Sequence, residues 1–444
     1  MKKKLLLILM LCTMSLVVSK TSKAELFGLS GYTLNNGMRL IVIPNHKAPI
    51  AKHMLWYKVG AADEKIGKGG SAHLLEHLMF RGTKKIKGQD FNRIMEENGA
   101  DSNAFTSQDM TVYHQFIDIS RLELAMFLEA DRMKNLTIDN KSFETERQIV
   151  FQERKQVVEN NPLYRFNEAV QRAFWQTHPY SRPITGTEEE ILKLKIKDVK
   201  SIYKKYYNPN NAILVIAGNI EPDVAYKLAE KYYGAIPPQG KANNKLPAEN
   251  VGQTSISLSM KLPDIEISRV LRKYAAPSYN SGKEQIYAYM VLSKYLGEGE
   301  TSKLYDNLVV QRKIATTIST GYNYTSLGGG SFTISATPAK GVTVNALLRE
   351  IDDAVTSALK NLNNQELERV KTQMLTGLVY VKDNPQDAAQ IVGMLALAGM
   401  SDAEIENYAD NINQVSLADV KNAAMMLQKP AQVEGIVEPE GDKR

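Results

Sequence analysis

Five consecutive residues in this 444-residue chain carry a metal-site pattern: His73-Leu74-Leu75-Glu76-His77. On a helix turning about 100° per residue, His73 and His77 lie about 40° apart, one turn from each other, with Glu76 in the same arc. One face then offers two imidazole ligands and a carboxylate beside any metal-held water, which is what a hydrolytic zinc needs. The order H-x-x-E-H reverses the H-E-x-x-H of ordinary zinc peptidases. A catalytic zinc takes three protein ligands and keeps a fourth position open, so a third ligand must come from elsewhere. A charged helix expected over 142–159 offers Glu144, Glu146, Glu153 and Glu159. Glu146 and Glu153 are seven residues apart and share a face. Such a pair suits one ligand and one acid that orients a ligand or a histidine.

The elements around the motif read as follows. A hairpin is expected over 32–43, turning at Asn35-Asn36-Gly37, and a strand over 53–59. A glycine-rich loop leads into the motif helix, expected over 71–80 with Ser71 as its N-cap. A short helix over 91–98 and paired strands over 102–105 and 110–117 come next, then helices over 122–133, 142–159 and 162–175. A helix over 197–207, a buried strand over 212–217 and a helix over 221–233 complete the first half. Residues 236–250 read as a linker, with Pro237, Pro238 and Pro247. The second half repeats the order: strands, a helix, a strand pair ahead of which lies Lys303–Val310, a run of helices and a last strand over 433–437. The expected class is α+β, with two homologous α/β-sandwich domains over 25–235 and 251–444, each a mostly antiparallel sheet packed with helices. Where the first half has its motif helix, the second has Ile286-Tyr-Ala-Tyr-Met-Val-Leu-Ser293, which offers no ligands.

Composition is that of a globular protein, 43% apolar and 23% charged. Lys2, Lys3 and Lys4 precede an apolar run from Leu5 to Val18, too short for a comfortable membrane span, and Ser22-Lys23-Ala24 reads as a cleavage site. Residues 1–24 are therefore read as a signal peptide, with export to a bacterial periplasm; the alternative is an uncleaved anchor. The segment holds Cys12, the single cysteine, and five lysines without an acid, so removing it takes the formal charge from +6 to +1. No disulfide or thiol chemistry is then available. The simplest argument for nucleic-acid binding goes with the charge.

The residues also support a resemblance. The stretch Gly69-Gly-Ser-Ala-His-Leu-Leu-Glu-His-Leu-Met-Phe-Arg-Gly-Thr83, the stretch Asn98-Gly-Ala-Asp-Ser-Asn-Ala-Phe-Thr106, and Glu146 followed by Glu153, 76 residues beyond His77, resemble the M16 metallopeptidases, the inverzincins. The likeness runs through the mature chain and includes the doubled domain. It implies one zinc per chain, held by His73, His77 and Glu153. It implies Glu76 as the general base that activates a zinc-bound water, and Glu146 as a supporting acid. It implies that Asn103, Ala104, Phe105 and Thr106 form a strand to which an extended peptide adds, a mode that reads backbone more than sequence. The activity implied is a zinc-dependent endopeptidase for extended peptides or unfolded segments.

The chain departs from that family in its second half. Members usually carry an arginine and a tyrosine across from the zinc, in a pattern close to L-R-E-x-x-G-L-A-Y, to hold the substrate backbone and developing oxyanion. The matching stretch here is Leu308-Val-Val-Gln-Arg-Lys-Ile-Ala-Thr316, which puts Val309 and Thr316 at those positions. Arg312 is three residues late, and Tyr322 and Tyr324 lie further along. The expectation is a heterodimer with an M16 paralogue that lacks H-x-x-E-H. A self-sufficient homodimer, or a non-catalytic scaffold subunit, is the alternative.

Overall fold

The computed structural model describes residues 25–88, 90–240, 246 and 254–440. The expected signal peptide and most of the expected linker lie outside the described residues. The chain folds as two α/β domains built on two mixed sheets. Strands β1 (Ser30–Thr33), β2 (Arg39–Pro44), β3 (Ile50–Tyr57), β4 (Asp101–Thr106), β5 (Thr111–Asp118) and β6 (Ala212–Gly218) form the first sheet, in the order β1-β2-β6-β3-β5-β4. Strands β7 (Ile256–Leu262), β8 (Arg269–Ala276), β9 (Ala315–Asn323), β10 (Gly330–Pro338) and β11 (Val433–Pro439) form the second, in the order β7-β11-β8-β10-β9.

The two orders superimpose. Each sheet has one parallel pair, β2 with β6 and β7 with β11, and antiparallel neighbours from there to the far edge. Among the described residues only β1 lacks a counterpart. The Ala212-Ile-Leu-Val-Ile-Ala-Gly218 run is buried at every residue, as a central strand covered on both faces must be. The run Gly328-Gly-Gly330 leads from β9 into β10.

Alternation along the strands sends side chains to two cores. Leu40, Val42, Leu55, Tyr57, Leu214 and Ile216 point to the face that packs Ala72, Leu74, Leu75 and Leu78 of the motif helix, Ser71–Leu78. Ile41, Ile43, Met54, Trp56, Ile213 and Val215 point to the opposite face, which is covered by Ala388, Ala389, Val392 and Leu395 of the helix Pro385–Leu397. That helix belongs to the second half. The loan is returned: Phe166, Val170 and Phe174 of the helix Pro162–Trp175, from the first half, pack with Leu262, Val433 and Val437 of the second sheet. Each half thus covers its sheet with its own helices on one face and a helix of the other half on the other face. Glycines set the approach on both sides. A Cβ on Gly393 would come within 2.2 Å of Trp56, and one on Gly435 within 2.7 Å of Val170.

Two local expectations are corrected. Ser71 is the first helical residue and not the N-cap, which is Gly70 at φ 82°, a left-handed conformation suited to glycine. A Cβ at Gly70 would also lie 2.2 Å from the Thr185 carbonyl oxygen. The helix expected over 142–159 runs Asn140–Arg154 and is capped by Asp139, whose carboxylate accepts from the Ser142 amide; it then widens into a π-turn, Lys155–Glu159.

Candidate active site and metal centre

The motif helix is nearly all buried, and its polar residues sit in the seam between the first sheet and the helix Asn140–Arg154. Its N-terminus is held by Glu64, whose buried carboxylate accepts hydrogen bonds from the Gly70 amide at 3.0 Å and the Ala72 amide at 2.7 Å. Burial nonetheless pushes the Glu64 carboxyl up to about 8, against the pull of these two amides.

The His73 and His77 rings stand edge to face, 4.9 Å apart between centroids. Both present Nε2 to the Glu153 carboxylate: His73 Nε2 is 3.8 Å from Oε1 and His77 Nε2 is 3.4 Å from Oε2. One ligand atom from each of the three residues lies within 4.8 Å of the others. Two ligands at zinc-to-nitrogen and zinc-to-oxygen distances of a tetrahedral site stand about 3.3 Å apart. The 3.4 Å spacing matches that edge to about 0.1 Å, while the 3.8 Å one exceeds it by about half an ångström and is too long for a hydrogen bond. The donor set, two imidazoles and one carboxylate, is that of a hydrolytic zinc with one position open.

Glu146 and Glu153 do share a face, and they hold opposite edges of one imidazole. His77 Nδ1 lies 3.2 Å from Glu146 Oε2. An ionised carboxylate only accepts, so Nδ1 carries the proton and Nε2 is left to face Glu153. Arg81, one turn beyond His77, donates through Nε to the other oxygen of Glu146, which is buried. His73 has no such support, since its Nδ1 is buried without a hydrogen-bond partner among the described residues. The two histidines therefore diverge. Burial, helped by the charge on His77, lowers His73 to about 4. Burial would also lower His77, but the hydrogen bonds to Glu146 and Glu153 outweigh it and raise it to about 9. Glu153 is lowered by its hydrogen bond to His77. A metal on Nε2 takes the place of that proton.

Glu76 is buried beside the triad, and burial raises its carboxyl; the hydrogen bond from Thr106 Oγ1, 2.5 Å from Oε2, pulls the other way. Thr106 ends β4, the outer strand of its sheet, which among the described residues pairs with β5 alone. His73, Glu76, His77, Glu153 and β4 residues Ala104, Phe105 and Thr106 border a cavity of about 750 Å³. Asn103 of the same strand is not among its lining residues. The far wall was not legible from sequence. It comes from the π-turn, through Val157 and Val158, from Tyr164 and Glu168, and from the 181–185 segment. Arg154 ties these pieces together: it donates to Glu159, to both oxygens of Glu168 at 2.7 and 2.8 Å, and to Thr185.

Every described residue that lines this cavity falls between His73 and Thr185, so the second half contributes none. The second-half residues nearest the expected arginine and tyrosine positions are engaged elsewhere. Val309 lies in a π-turn, Asp306–Gln311, and Thr316 in β9. Arg312 pairs with Glu350 at 2.5 Å, Tyr322 donates to the Pro277 carbonyl, and the Tyr324 hydroxyl meets that of Tyr408 at 2.6 Å.

Comparison with known proteins points to one family. Residues 39–188 match the family model described as insulinase (peptidase family M16), and residues 193–374 match the one described as the peptidase M16 inactive domain. The zinc protease PqqE of Helicobacter pylori is 27% identical over 371 residues, 82% of each chain. The beta subunit of the mitochondrial-processing peptidase of Lentinula edodes is 26% identical, over 88% of this chain and 86% of that one. In fold, the chain resembles the crystal structure of a protease from Helicobacter pylori, with a TM-score of 0.83 and 24% identity over 93% of this chain and 99% of that one. It also resembles the periplasmic protease PqqL of Escherichia coli, with a TM-score of 0.77, over 92% of this chain but 47% of PqqL. The two matched halves, the shared fold and relatives named as zinc proteases place the chain in the M16 family of peptidases.

Proposed function

We propose that this chain is the zinc-bearing subunit of an M16 endopeptidase that cleaves extended peptides or unfolded segments. The observation that carries the reading is the convergence of His73 Nε2, His77 Nε2 and the Glu153 carboxylate beside the buried Glu76, at the edge of a groove whose floor is an open strand. Bound there, zinc would lower the pKa of its water to about 7 and polarise the substrate carbonyl. The chain's own residues do the rest. Glu153 and the two histidines would hold the metal, with Glu146 and Arg81 fixing the tautomer of His77. Glu76 accepts the proton of the attacking water and returns it to the leaving amine. β4 presents the free edge of residues 103–106, against which a peptide backbone lies as an added strand.

Among the described residues the groove draws on the first half alone, and Arg312, Tyr322 and Tyr324 are committed to other partners. This favours a second chain, an M16 paralogue without H-x-x-E-H, as the source of the groups that hold the oxyanion. A relative named as a subunit of a processing peptidase points the same way. Export to the periplasm through residues 1–24 belongs to the proposal. Among the described residues no helix is long and apolar enough to cross a membrane.

The test is to purify the chain from its native source with any bound partner, and to measure metal and peptide cleavage for wild type and Glu76→Gln. The expected result is one zinc in both and a loss of about 10²–10⁴ in cleavage for the variant. Equal cleavage would remove Glu76 as the base. Full activity from the pure chain alone would sink the need for a paralogue and leave the homodimer.

A further inference from the structure

Thr106 faces two ways. Its backbone belongs to the open edge of β4, and its side chain turns under the sheet to the motif helix. Alternation along the strand puts Ala104 and Thr106 on the helix side, while Phe105 packs edge-on against Trp56 on the other face, 6.2 Å between centroids. Thr111, directly opposite Thr106 across the β4–β5 pair, sits 3.5 Å away between hydroxyl oxygens. The Thr111 hydroxyl is buried and donates to the Val59 carbonyl at 3.0 Å, so its proton is committed. The Thr106 proton has one acceptor in reach that needs it, Glu76 Oε2 at 2.5 Å. The contact is thus a hydroxyl donating to a buried carboxylate, one of the stronger side-chain hydrogen bonds.

We infer that Thr106 is a positioning residue for Glu76: its hydroxyl fixes the carboxylate in the groove, so the strand that receives the substrate also sets the base. The inference rests on the reading of Glu76 given above. It assigns the side chain of Thr106 a task separate from the backbone pairing expected of residues 103–106. It also makes the base dependent on an intact β4, since a strand that pulls away from the helix releases Glu76. A carboxylate free to swing loses the fixed geometry that proton transfer at an oriented water requires.

Thr106→Val keeps the shape and removes the donor; Thr106→Ser keeps the donor and removes the methyl. Both are to be studied zinc-loaded, with whatever partner co-purifies, alongside Glu76→Gln. Thr106→Val is expected to lower kcat by roughly ten- to hundredfold, the range for a hydrogen bond to a charged group. KM should stay within about twofold of wild type, because backbone pairing is untouched, and zinc content should be unchanged. Thr106→Ser is expected to recover most of the rate. In crystals, Glu76 should leave its wild-type rotamer in Thr106→Val and keep it in Thr106→Ser. An effect on KM alone would make Thr106 a substrate contact and overturn the inference. So would an unmoved Glu76 rotamer in Thr106→Val, a readout that needs no activity. If Glu76→Gln is inactive while Thr106→Val cleaves like wild type, only the role of Thr106 falls. If Glu76→Gln cleaves like wild type, the reading of Glu76 falls and this inference with it.

Discussion

The two halves of this chain use one topology for opposite ends. After β3, the first half inserts the helix Ser71–Leu78 and then the β4–β5 hairpin; after β8, the second inserts Ile286–Gly297 and then β9–β10. In the second half that helix buries Ile286, Val291, Leu292, Tyr295 and Leu296. In the first it buries Leu74, Leu75 and Leu78 together with His73 and Glu76. Two groups able to do chemistry, with Glu146 behind them, contrast with a second-half helix whose buried face is apolar apart from Ser293, its hydroxyl bonded to Glu298 and Thr320. Burying such groups is costly unless they are hydrogen-bonded or metal-bound, and hydrogen bonds are built around them: Arg81 on Glu146, Thr106 on Glu76, Glu64 on the helix end. The duplication therefore separates scaffold from chemistry. What the second half shows is how little of the fold the site requires.

That contrast can be broken most severely by removing the metal. If the first half relies on zinc to satisfy its buried ligands, zinc at a thousandfold over its Kd stabilises the wild type by about 4 kcal/mol. A chelator should then lower the unfolding temperature and abolish cleavage, while His77→Ala, already without a full ligand set, should respond little. Thermal unfolding of the wild type that ignores the chelator would mean that the seam is self-sufficient like its counterpart.

A smaller effect tests how the halves are joined. Asp109, in the β4–β5 turn, accepts the Tyr180 hydroxyl on both oxygens at 2.5 Å and the Leu327 amide at 3.1 Å, and the Gly328 amide donates to the Tyr180 oxygen at 2.8 Å. The turn of the second half is thus docked on the loop that ends the candidate substrate strand. Burial raises the Asp109 carboxyl to about 6, despite its hydrogen bonds from Tyr180 and Leu327. A raised acid binds its proton more tightly folded than unfolded. Its contribution is complete below the unfolded value near 4 and is lost as pH rises through about 6, some 3 kcal/mol in all. Measured by denaturant from pH 4 to 7, the wild type should lose about that much relative to Asp109→Asn. Parallel curves would show that the docked turn is indifferent to the charge.

The motif was legible because its chemistry is written in local spacing, four residues from His73 to His77; the seven-residue spacing offered Glu146 and Glu153 only as a pair, and it was the resemblance to the M16 peptidases that singled out Glu153 as the expected third ligand. The doubled order of strands and helices was legible from hydrophobic period. What sequence could not show depends on partners far along the chain. Ser71 obeys a local capping rule, yet the cap position goes to Gly70 because Glu64 supplies the acceptor and the Thr185 carbonyl leaves no room for a Cβ. Arg81 was in plain view one turn past His77, a spacing that could have been used. The exchange of helices between halves left no local mark at all, because Pro162–Trp175 and Pro385–Leu397 are amphipathic or apolar enough to fit either sheet.

That exchange carries the smallest and cleanest comparison, between two glycines in second-half helices. Gly377 is exposed in the helix Asn364–Asp383, and a Cβ there meets nothing within 4 Å. Alanine should stabilise it by about 0.5–1 kcal/mol through helix propensity and a stiffer unfolded chain. Gly393 has the same propensity to gain but faces Trp56 across the seam, where a Cβ would lie 2.2 Å from the indole. Trp56 is fully buried, with Phe105 of the candidate substrate strand packed against it, so it has little room to yield. Overpacking of this kind costs about 1–3 kcal/mol, more than the helix gains, and Gly393→Ala should destabilise. The two substitutions should therefore move the denaturant midpoint in opposite directions. If Gly393→Ala stabilises like Gly377→Ala, the borrowed helix is loosely seated and the two halves are less tightly interlocked than the buried glycines imply.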